Sequence, residues 1–200
     1  MKQFNLQNKN SPEINYQNGL LPQRNQKNLY YRQTSCRSNL KNFLLNSENR
    51  RILKKTQSYS YTRLPLSKLK YDLVLQKKLS LWVKDLAWNF PTSSIKNVFT
   101  HHLFNVVYVW KNKQKKIIAY SLCYFSPQIS HIAYVFYHPE LSHSNLPIRL
   151  TLQAIIDGQK LGLKFCYLGR FSPDTGYYKR NMPGFEIYDY KKNIWIPYKK

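Results

Sequence analysis

A short apolar run between two glycines, near the carboxyl end of the chain, constrains the fold most strongly. The run FCYL at 165–168 lies between Gly162 and Gly169 and follows a helical pattern over residues 145–161. A strand that is apolar without alternation is buried on both faces, as in a sheet that has helices on both sides. The chain is therefore expected to contain an αβ unit, and ligands of such sheets bind beyond the carboxyl ends of the strands.

Three more strand patterns come immediately before this unit. They cover residues 103–110, 117–125 and 131–137, and short polar turns separate them. Turns of this length join antiparallel neighbours. The sequence therefore predicts an α+β fold whose central mixed sheet is mostly antiparallel and flanked by helices.

Three helices are expected on the amino-terminal side of these strands. Asn46 or Ser47 is a suitable N-cap for a basic helix that ends at Lys55. Leucines at helical spacing predict a long helix over about 65–85, which begins with a proline, and a shorter helix is expected over 93–100.

Residues 1–28 differ in composition from the rest of the chain. They are rich in Asn, Gln and Lys and poor in apolar side chains, which cannot offset the entropy lost on ordering a backbone. A length of 200 residues fits one domain with a tail. We therefore expect a disordered amino-terminal arm over 1–28 and one domain over 29–200.

The chain is strongly basic. Its 32 Lys and Arg residues stand against nine acidic residues, which gives a formal net charge of +23. Such a charge attracts polyanions, so nucleic acid is the expected partner class, although AT-rich codons also favour Lys, Asn, Ile, Tyr and Phe.

Cys36, Cys123 and Cys166 show neither zinc-ligand spacing nor a disulfide pattern, so no metal is expected. No stretch reads as a signal peptide or a membrane span, so a cytoplasmic protein without a membrane partner is expected.

The segment that follows Gly169 combines tyrosines with bases. Arg170, Tyr178, Lys179 and Arg180 lie there among residues that favour turns. A solvated loop between two strands is the alternative, since runs of charge are often plain surface. The density of tyrosines favours a binding site at the end of the buried strand.

The order of the predicted elements resembles the GNAT acyltransferase fold, in which the strands before and after one helix diverge and leave a slot for an acyl donor. GNAT enzymes that use acetyl-CoA carry a glycine-rich turn at the start of that helix, whose backbone amides hold the pyrophosphate. Here residues 142–150 contain no glycine, and Pro147 lacks an amide donor. The sequence therefore disfavours CoA, and no cofactor is expected.

Several short motifs in a shared order are similar to the carboxyl-terminal domain of the arginyl-tRNA-protein transferases and their leucyl-transferring relatives. The motifs are SENRRILKK at 47–55, HIAYVFYHPELS at 131–142, DGQKLGLKFCYLG at 157–169 and the pair Tyr178-Lys179. The resemblance extends from about Ser35 to Trp195.

Two departures from the family pattern leave parts of its function open. Family members have Ser-Leu-Gly at the helix start, which is replaced here by Asn145-Leu146-Pro147. They also have an amino-terminal domain with clustered cysteines, of which only Cys36 remains. The identity of the transferred amino acid and any role of a cysteine cluster are therefore undetermined.

The resemblance implies aminoacyl transfer by a monomer whose partners are aminoacyl-tRNA and the N-terminus of an acceptor protein. The α-amine of the acceptor attacks the ester carbonyl that joins an amino acid to tRNA, and a peptide bond forms. The ester is already activated, so the enzyme's part is alignment, proton removal and support of the developing oxyanion. The residues implied are Tyr137, His138, Tyr167 and Lys179 in catalysis, Gly169, Arg170 and Tyr178 in substrate binding, and Arg50, Arg51, Lys54, Lys55 and Arg180 in tRNA binding.

Two other residues near the implied site are expected to be structural. Tyr134 lies three residues from Tyr137 on one strand, so it points to the opposite face and packs in the core. His131 is expected to begin its strand with a satisfied ring. Two rival functions stay open: a CoA-dependent N-acetyltransferase, and a non-catalytic relative that binds tRNA or other RNA.

Overall fold

The structure, a computed structural model, describes residues 11–26, 28–100, 103–172 and 176–198, together with the backbone of residues 5–7. The helices are α1 (Pro12–Gln17), α2 (Ser47–Lys55), α3 (Leu73–Asp85), α4 (Thr92–Thr100) and α5 (Leu146–Lys160). The strands are β1 (Asn5–Gln7), β2 (Leu20–Pro22), β3 (Leu29–Arg32), β4 (Ser35–Asn39), β5 (Ser60–Pro65), β6 (Val106–Lys111), β7 (Ile117–Phe125), β8 (Ile129–Tyr137), β9 (Phe165–Arg170), β10 (Phe185–Asp189) and β11 (Ile194–Pro197).

A large mixed sheet forms the centre of the described chain. Its strand order is β11-β10-β4-β9-β8-β7-β6-β5, and β1, β3 and β2 form a separate small sheet. Neighbours in the large sheet are antiparallel except for β8 and β9, which are parallel and connected through α5. The predicted α+β fold with a mostly antiparallel, helix-flanked sheet is confirmed, and its topology is GNAT-like.

Helices cover both faces of this sheet. On one face, α2 and α5 pack over a core that includes Ile52, Leu150 and Cys166. On the other face, α3 and α4 pack over a core that includes Leu79 and Val98. Burial on both faces explains why β9 has an apolar run without alternation.

The two parallel strands separate towards their carboxyl ends. Their pairing runs from Ile129 with Phe165 to His131 with Tyr167, which is the last pair between these two strands. Beyond that point β8 continues on β7 as far as Tyr137, while β9 continues on β4. A gap therefore opens between β8 and β9 just after His131.

The basic helix α2 begins where its capping signal predicts. The side chain of Asn46 accepts a hydrogen bond from the amide of Asn49 at 2.8 Å, and the side chain of Asn49 accepts one from the amide of Asn46. Such a reciprocal pair satisfies two amides that the first turn leaves without helical partners. The positions of α4, α5, β7 and β8 also agree closely with the expectations.

The long helix expected before the strands begins later than predicted. Asp72 caps α3 by accepting a hydrogen bond from the amide of Leu75 at 2.9 Å. The residues before it form β5, and Pro65 ends this edge strand, where a missing amide is tolerated. Leu66, in a short 3₁₀ helix, and Leu69 just after it are partly buried against the α3 core, so their spacing indicated packing and not an α-helix.

The arm that was expected to be disordered over 1–28 is ordered where the structure describes it. Ser11 caps α1, Tyr16 is fully buried and Leu21 is 2% exposed. A few well-placed apolar side chains suffice here because they pack on a preformed sheet. This part of the arm belongs to the folded domain, so the expectation is wrong for it. Residues 1–4, 8–10 and 27, which also fall in the predicted arm, lie outside the described part of the chain.

Candidate functional site

The β9 side of the gap is held by an ammonium group. Lys179 lies in a short 3₁₀ turn, and its Nζ atom donates to the backbone carbonyls of Leu168 and Arg170, each at 2.7 Å. Carbonyls alternate in direction along a strand, and that of Gly169 faces β4, where the Cys36 Sγ atom lies 3.3 Å from it. The two carbonyls bonded by Lys179 therefore face the gap, where β8 no longer pairs with them.

Lys179 has one donor left for another partner. A protonated lysine carries three N–H donors, and the two carbonyls accept two of them. Burial lowers the pKa of Lys179, and the neighbouring Cys36 opposes this effect. The third N–H is what this wall of the gap can offer to a bound oxygen atom.

Two tyrosines and a threonine line the α5 side of the gap. Tyr137, at the end of β8, is buried in the core under α5 and packs edge-on against Trp88 at 5.3 Å. The hydroxyl of Tyr178 lies 3.3 Å from the hydroxyl of Thr151 on α5. Burial raises the pKa of Tyr178, and both Tyr137 and Tyr178 pack in or against the same core cluster. The structure thus brings Tyr137, Tyr178 and Lys179 to one site.

Tyr167 lies on the opposite face of β9 from this site. Its ring packs against Tyr16 at 4.9 Å and Trp195 at 5.5 Å, and its hydroxyl is 3.5 Å from Nη1 of Arg37. Burial raises the pKa of Tyr167, and Arg37 opposes the rise. The structure therefore places Tyr167 in a packed layer and not beside Tyr178.

His138 also points away from Tyr137, because adjacent residues of a strand face opposite sides. Its ring is edge-on to Trp82 at 5.7 Å, and its Nδ1 atom is 3.7 Å from Oε2 of Glu140. A cavity of about 850 Å³ on this side is lined by His138, Lys78 and other polar residues. His138 and Tyr137 therefore do not act on the same bound atom.

His131 is a residue of the gap to which the sequence analysis gave only a structural role. It belongs to the last pair before the strands separate and is 4% exposed. The hydroxyl of Tyr16 lies 2.7 Å from Nδ1, but Nε2 has no hydrogen-bond partner among the described residues. Burial lowers the pKa of His131 to about 3, and the charge of Lys179 contributes. The ring is neutral, and only one of its two nitrogen atoms has a hydrogen-bond partner among the described residues. The expectation that both nitrogen atoms are paired is therefore wrong.

Gly169 and Arg170 lie at the mouth of the gap. Gly169 has φ of +77°, a left-handed conformation that favours glycine, and a Cβ there would lie 3.7 Å from Nε2 of His131. The Arg170 side chain is exposed. Burial raises the pKa of Tyr31, and the charge of Arg170 opposes this rise.

The basic helix α2 is tied to the turn that carries Lys179. The side chains of Asn46 and Asn49 both donate to the carbonyl of Asn181, at 3.0 and 3.1 Å. These two bonds join the start of α2 to the end of the turn. The start of α2 therefore lies beside the turn that carries Lys179.

The cations predicted to bind tRNA lie on α2 and on the turn that carries Lys179. Glu48 forms an ion pair with Arg51, and the guanidinium of Arg180 stacks on the ring of Tyr177 at 3.5 Å. The exposed cations of α2 are Arg50, Arg51, Lys54 and Lys55, whereas Arg180 is half-buried.

The start of α5 offers few amides to a phosphate. The hydroxyl of Ser144 accepts the amide of Leu146 at 3.1 Å, and Pro147 in the first turn has no amide hydrogen. A pyrophosphate at a helix start needs several bare amides. This helix start is poorly suited to CoA.

The described residues form neither a metal-binding cluster nor a membrane-spanning helix. Among the described residues, no three His, Cys, Asp or Glu side chains are placed to hold a metal ion. None of the helices described above has the length and apolar character needed to cross a bilayer.

No protein-family model and no curated protein matches the chain. Among solved structures, it is similar to the C-terminal DUF2156 domain of a protein named as a lysylphosphatidylglycerol synthetase from Agrobacterium fabrum, with TM-score 0.54 and 14% identity over 69% of this chain and 46% of that chain. L-PGS from Bacillus licheniformis matches with TM-score 0.48 and 12% identity over 72% of this chain and 47% of that chain. A GCN5-related glucosamine N-acetyltransferase region of a fungal multi-domain GH3 beta-N-acetylglucosaminidase matches with TM-score 0.49 and 13% identity over 78% of this chain and 19% of that chain.

These likenesses concern the fold. The chain spans about half the length of the first two structures, 46% and 47% of each. None of the comparisons supports membership of the arginyl-tRNA-protein transferase family. The topology and the separation of β8 from β9 show that the chain has a GNAT-like fold.

Proposed function

We propose that this chain is an acyltransferase that moves an aminoacyl group from tRNA to the α-amine of an acceptor protein. The observation that carries the proposal is the gap between β8 and β9, where Lys179 bonds two carbonyls and retains a third donor. Tyr137 and Tyr178 place hydroxyls on the α5 side of the same gap. A slot with a cation on one wall and hydroxyls on the other suits an acyl group whose carbonyl oxygen gains charge during transfer.

In the proposed reaction the acceptor amine attacks the ester carbonyl. The carbon–nitrogen bond forms, the bond from carbon to the ribose oxygen breaks, and a proton of the amine passes to that oxygen. Lys179 donates its third N–H to the oxyanion of the tetrahedral intermediate. Burial raises the pKa of both Tyr137 and Tyr178, so their protonated hydroxyls suit a proton relay better than removal of the proton by a phenolate.

Two observations favour tRNA over CoA as the donor. The start of α5 has one amide engaged by Ser144 and lacks another at Pro147, so it cannot cradle a pyrophosphate as a glycine-rich turn does. The exposed cations of α2 belong to a helix that is bonded to the turn carrying Lys179, and such cations suit a phosphate backbone. A donor that brings its own polyanion fits both features.

The acceptor in this proposal follows from the resemblance at Tyr178-Lys179. Phosphatidylglycerol is a second candidate acceptor, because the Agrobacterium fabrum protein with the similar domain is named as a lysylphosphatidylglycerol synthetase. The two acceptors differ in the attacking atom, a nitrogen in one case and a hydroxyl oxygen in the other. One assay can therefore offer both.

The test is a transfer panel with purified protein. Total tRNA is charged with labelled amino acids and offered to peptides that cover all N-terminal residues and, separately, to phosphatidylglycerol vesicles. The proposal expects label in peptides with acidic N-termini. Label in the lipid alone would replace the protein acceptor with the lipid, and no label in either acceptor would reject aminoacyl transfer.

Two rival functions give different results in simple binding assays. A CoA-dependent N-acetyltransferase is stabilised by CoA in a thermal-shift assay. A non-catalytic RNA-binding protein binds tRNA with strong salt dependence and yields no product in the panel.

A further inference from the structure

A buried histidine at the start of the gap uses only half of its hydrogen-bonding capacity. His131 is 4% exposed, and its Nε2 atom has no partner among the described residues. Buried polar atoms in native proteins are nearly always paired, because an unpaired one keeps the full penalty of leaving water. The unpaired Nε2 atom lies where β8 and β9 separate, so a ligand bound there could complete its hydrogen bonding.

The contact with Tyr16 identifies which ring nitrogen carries the proton. If the Tyr16 hydroxyl donates to Nδ1, then Nε2–H is the one group left without a partner. If Nδ1–H donates instead, both the Tyr16 proton and the lone pair of Nε2 lack partners. The first arrangement leaves fewer unsatisfied groups, so Nε2 is a donor.

The donor faces the gap. A Cβ built on Gly169 would lie 3.7 Å from Nε2, and no other described atom beyond its chain neighbours comes within 4 Å, so Nε2 lies next to Gly169. Gly169 also lies between the two residues whose carbonyls bond Lys179. The Nε2–H of His131 and the third N–H of Lys179 therefore flank the same stretch of β9.

We infer that Nε2–H of His131 donates a hydrogen bond to the acyl carbonyl oxygen of the donor, which makes His131 a catalytic residue alongside Lys179. The inference rests on the proposed acyl transfer, because it assigns the bound oxygen to an aminoacyl ester. Two donors that converge on one oxygen form an oxyanion hole, and removing one such donor costs about 10²–10³ in kcat. Tyr16 is a positioning residue, since it acts by fixing the tautomer of His131.

A matched pair of variants separates this role from packing. His131→Gln retains an N–H near the position of Nε2, whereas His131→Asn retains a polar group only near Nδ1. We expect His131→Gln to keep activity within about tenfold of the natural protein and His131→Asn to lose about 10²–10³ in kcat with a smaller change in KM. Thermal unfolding of both variants checks that they fold.

Nitrogen-15 NMR of the histidine ring reads the contact without turnover. The ligand-free protein is expected to show Nε2 protonated, and Tyr16→Phe is expected to shift the ring towards a mixture of tautomers. The probes are stable adenosines that carry each amino acid in amide linkage at the 3′ position. One of these probes is expected to shift the Nε2 resonance of His131.

The outcomes distinguish this inference from the proposed function. A transfer panel without product, together with a probe-induced shift at Nε2, would reject the reaction and support the contact. Product in the panel with equal activity of His131→Gln and His131→Asn would overturn the inference. Protonation at Nδ1 in the ligand-free protein, or no shift with any probe, would also overturn it.

Discussion

Replacement of Lys179 by methionine tests whether this residue holds the wall of the gap as well as acting in transfer. Lys179→Met keeps most of the side-chain volume but leaves the carbonyls of Leu168 and Arg170 without their donor. Each unpaired carbonyl costs about 1–3 kcal/mol, and burial already disfavours the ammonium, as the lowered pKa of Lys179 indicates. We therefore expect a net loss of about 2–3 kcal/mol in the free energy of unfolding, together with loss of transfer.

The matched control is Arg180→Met on the same turn. Arg180 stacks on the ring of Tyr177 and bonds neither of the two carbonyls that face the gap, so this variant is expected to change stability by less than about 0.5 kcal/mol. Urea unfolding measures stability, and single-turnover transfer measures activity. Equal stability of the two variants would refute the bridging role of Lys179, and undiminished transfer by Lys179→Met would refute its role in the reaction.

The remaining predictions concern acid stability, a buried ion pair and the basic helix. The folded pKa of His131, about 3, lies below its unfolded value of about 6.5, so the unfolded chain binds a proton first as the pH falls. Stability that is present above pH 6.5 is therefore lost between about pH 6.5 and 3, by up to about 4–5 kcal/mol. Urea unfolding across this pH range should show a smaller loss of stability for His131→Gln than for the natural protein. Identical pH profiles of stability for the two proteins would contradict this prediction. Glu186→Met removes the carboxylate that lies 2.7 Å from the buried guanidinium of Arg37, and it should lower the free energy of unfolding by about 3–5 kcal/mol. The double variant with Arg37→Met should recover most of this loss. If the effects of the two single substitutions simply add, the ion pair does not stabilise the protein. Charge reversal at Lys54 and Lys55 should weaken tRNA binding and reduce its salt dependence, and unchanged binding in filter assays would remove α2 from the RNA surface.

The central part of the fold could be predicted because its signals are local. The run at 165–168, the strand patterns before it and the cap at Asn46 each depend on neighbours in sequence, and the structure confirms them. The helix start expected at Pro65 is wrong because Leu66 and Leu69 are partly buried outside an α-helix, and periodicity alone does not distinguish that arrangement from an α-helix.

The candidate site was only partly predictable, because strand alternation and distant contacts decide it. Tyr137 and Tyr178 belong to one side of the sheet, whereas alternation places Tyr167 in a different layer. The pairing of His131 could not be predicted, because its partner Tyr16 comes from a segment that composition marked as disordered. A contact between residues 115 positions apart leaves no local signal in the sequence.

Single-turnover transfer from labelled aminoacyl-tRNA to peptides, with phosphatidylglycerol vesicles in parallel, tests the central claim most directly. The account predicts label in peptides with acidic N-termini, and no label with Lys179→Met. Absence of label from both acceptors across all amino acids would contradict the claim that the gap between β8 and β9 is an aminoacyl-transfer site.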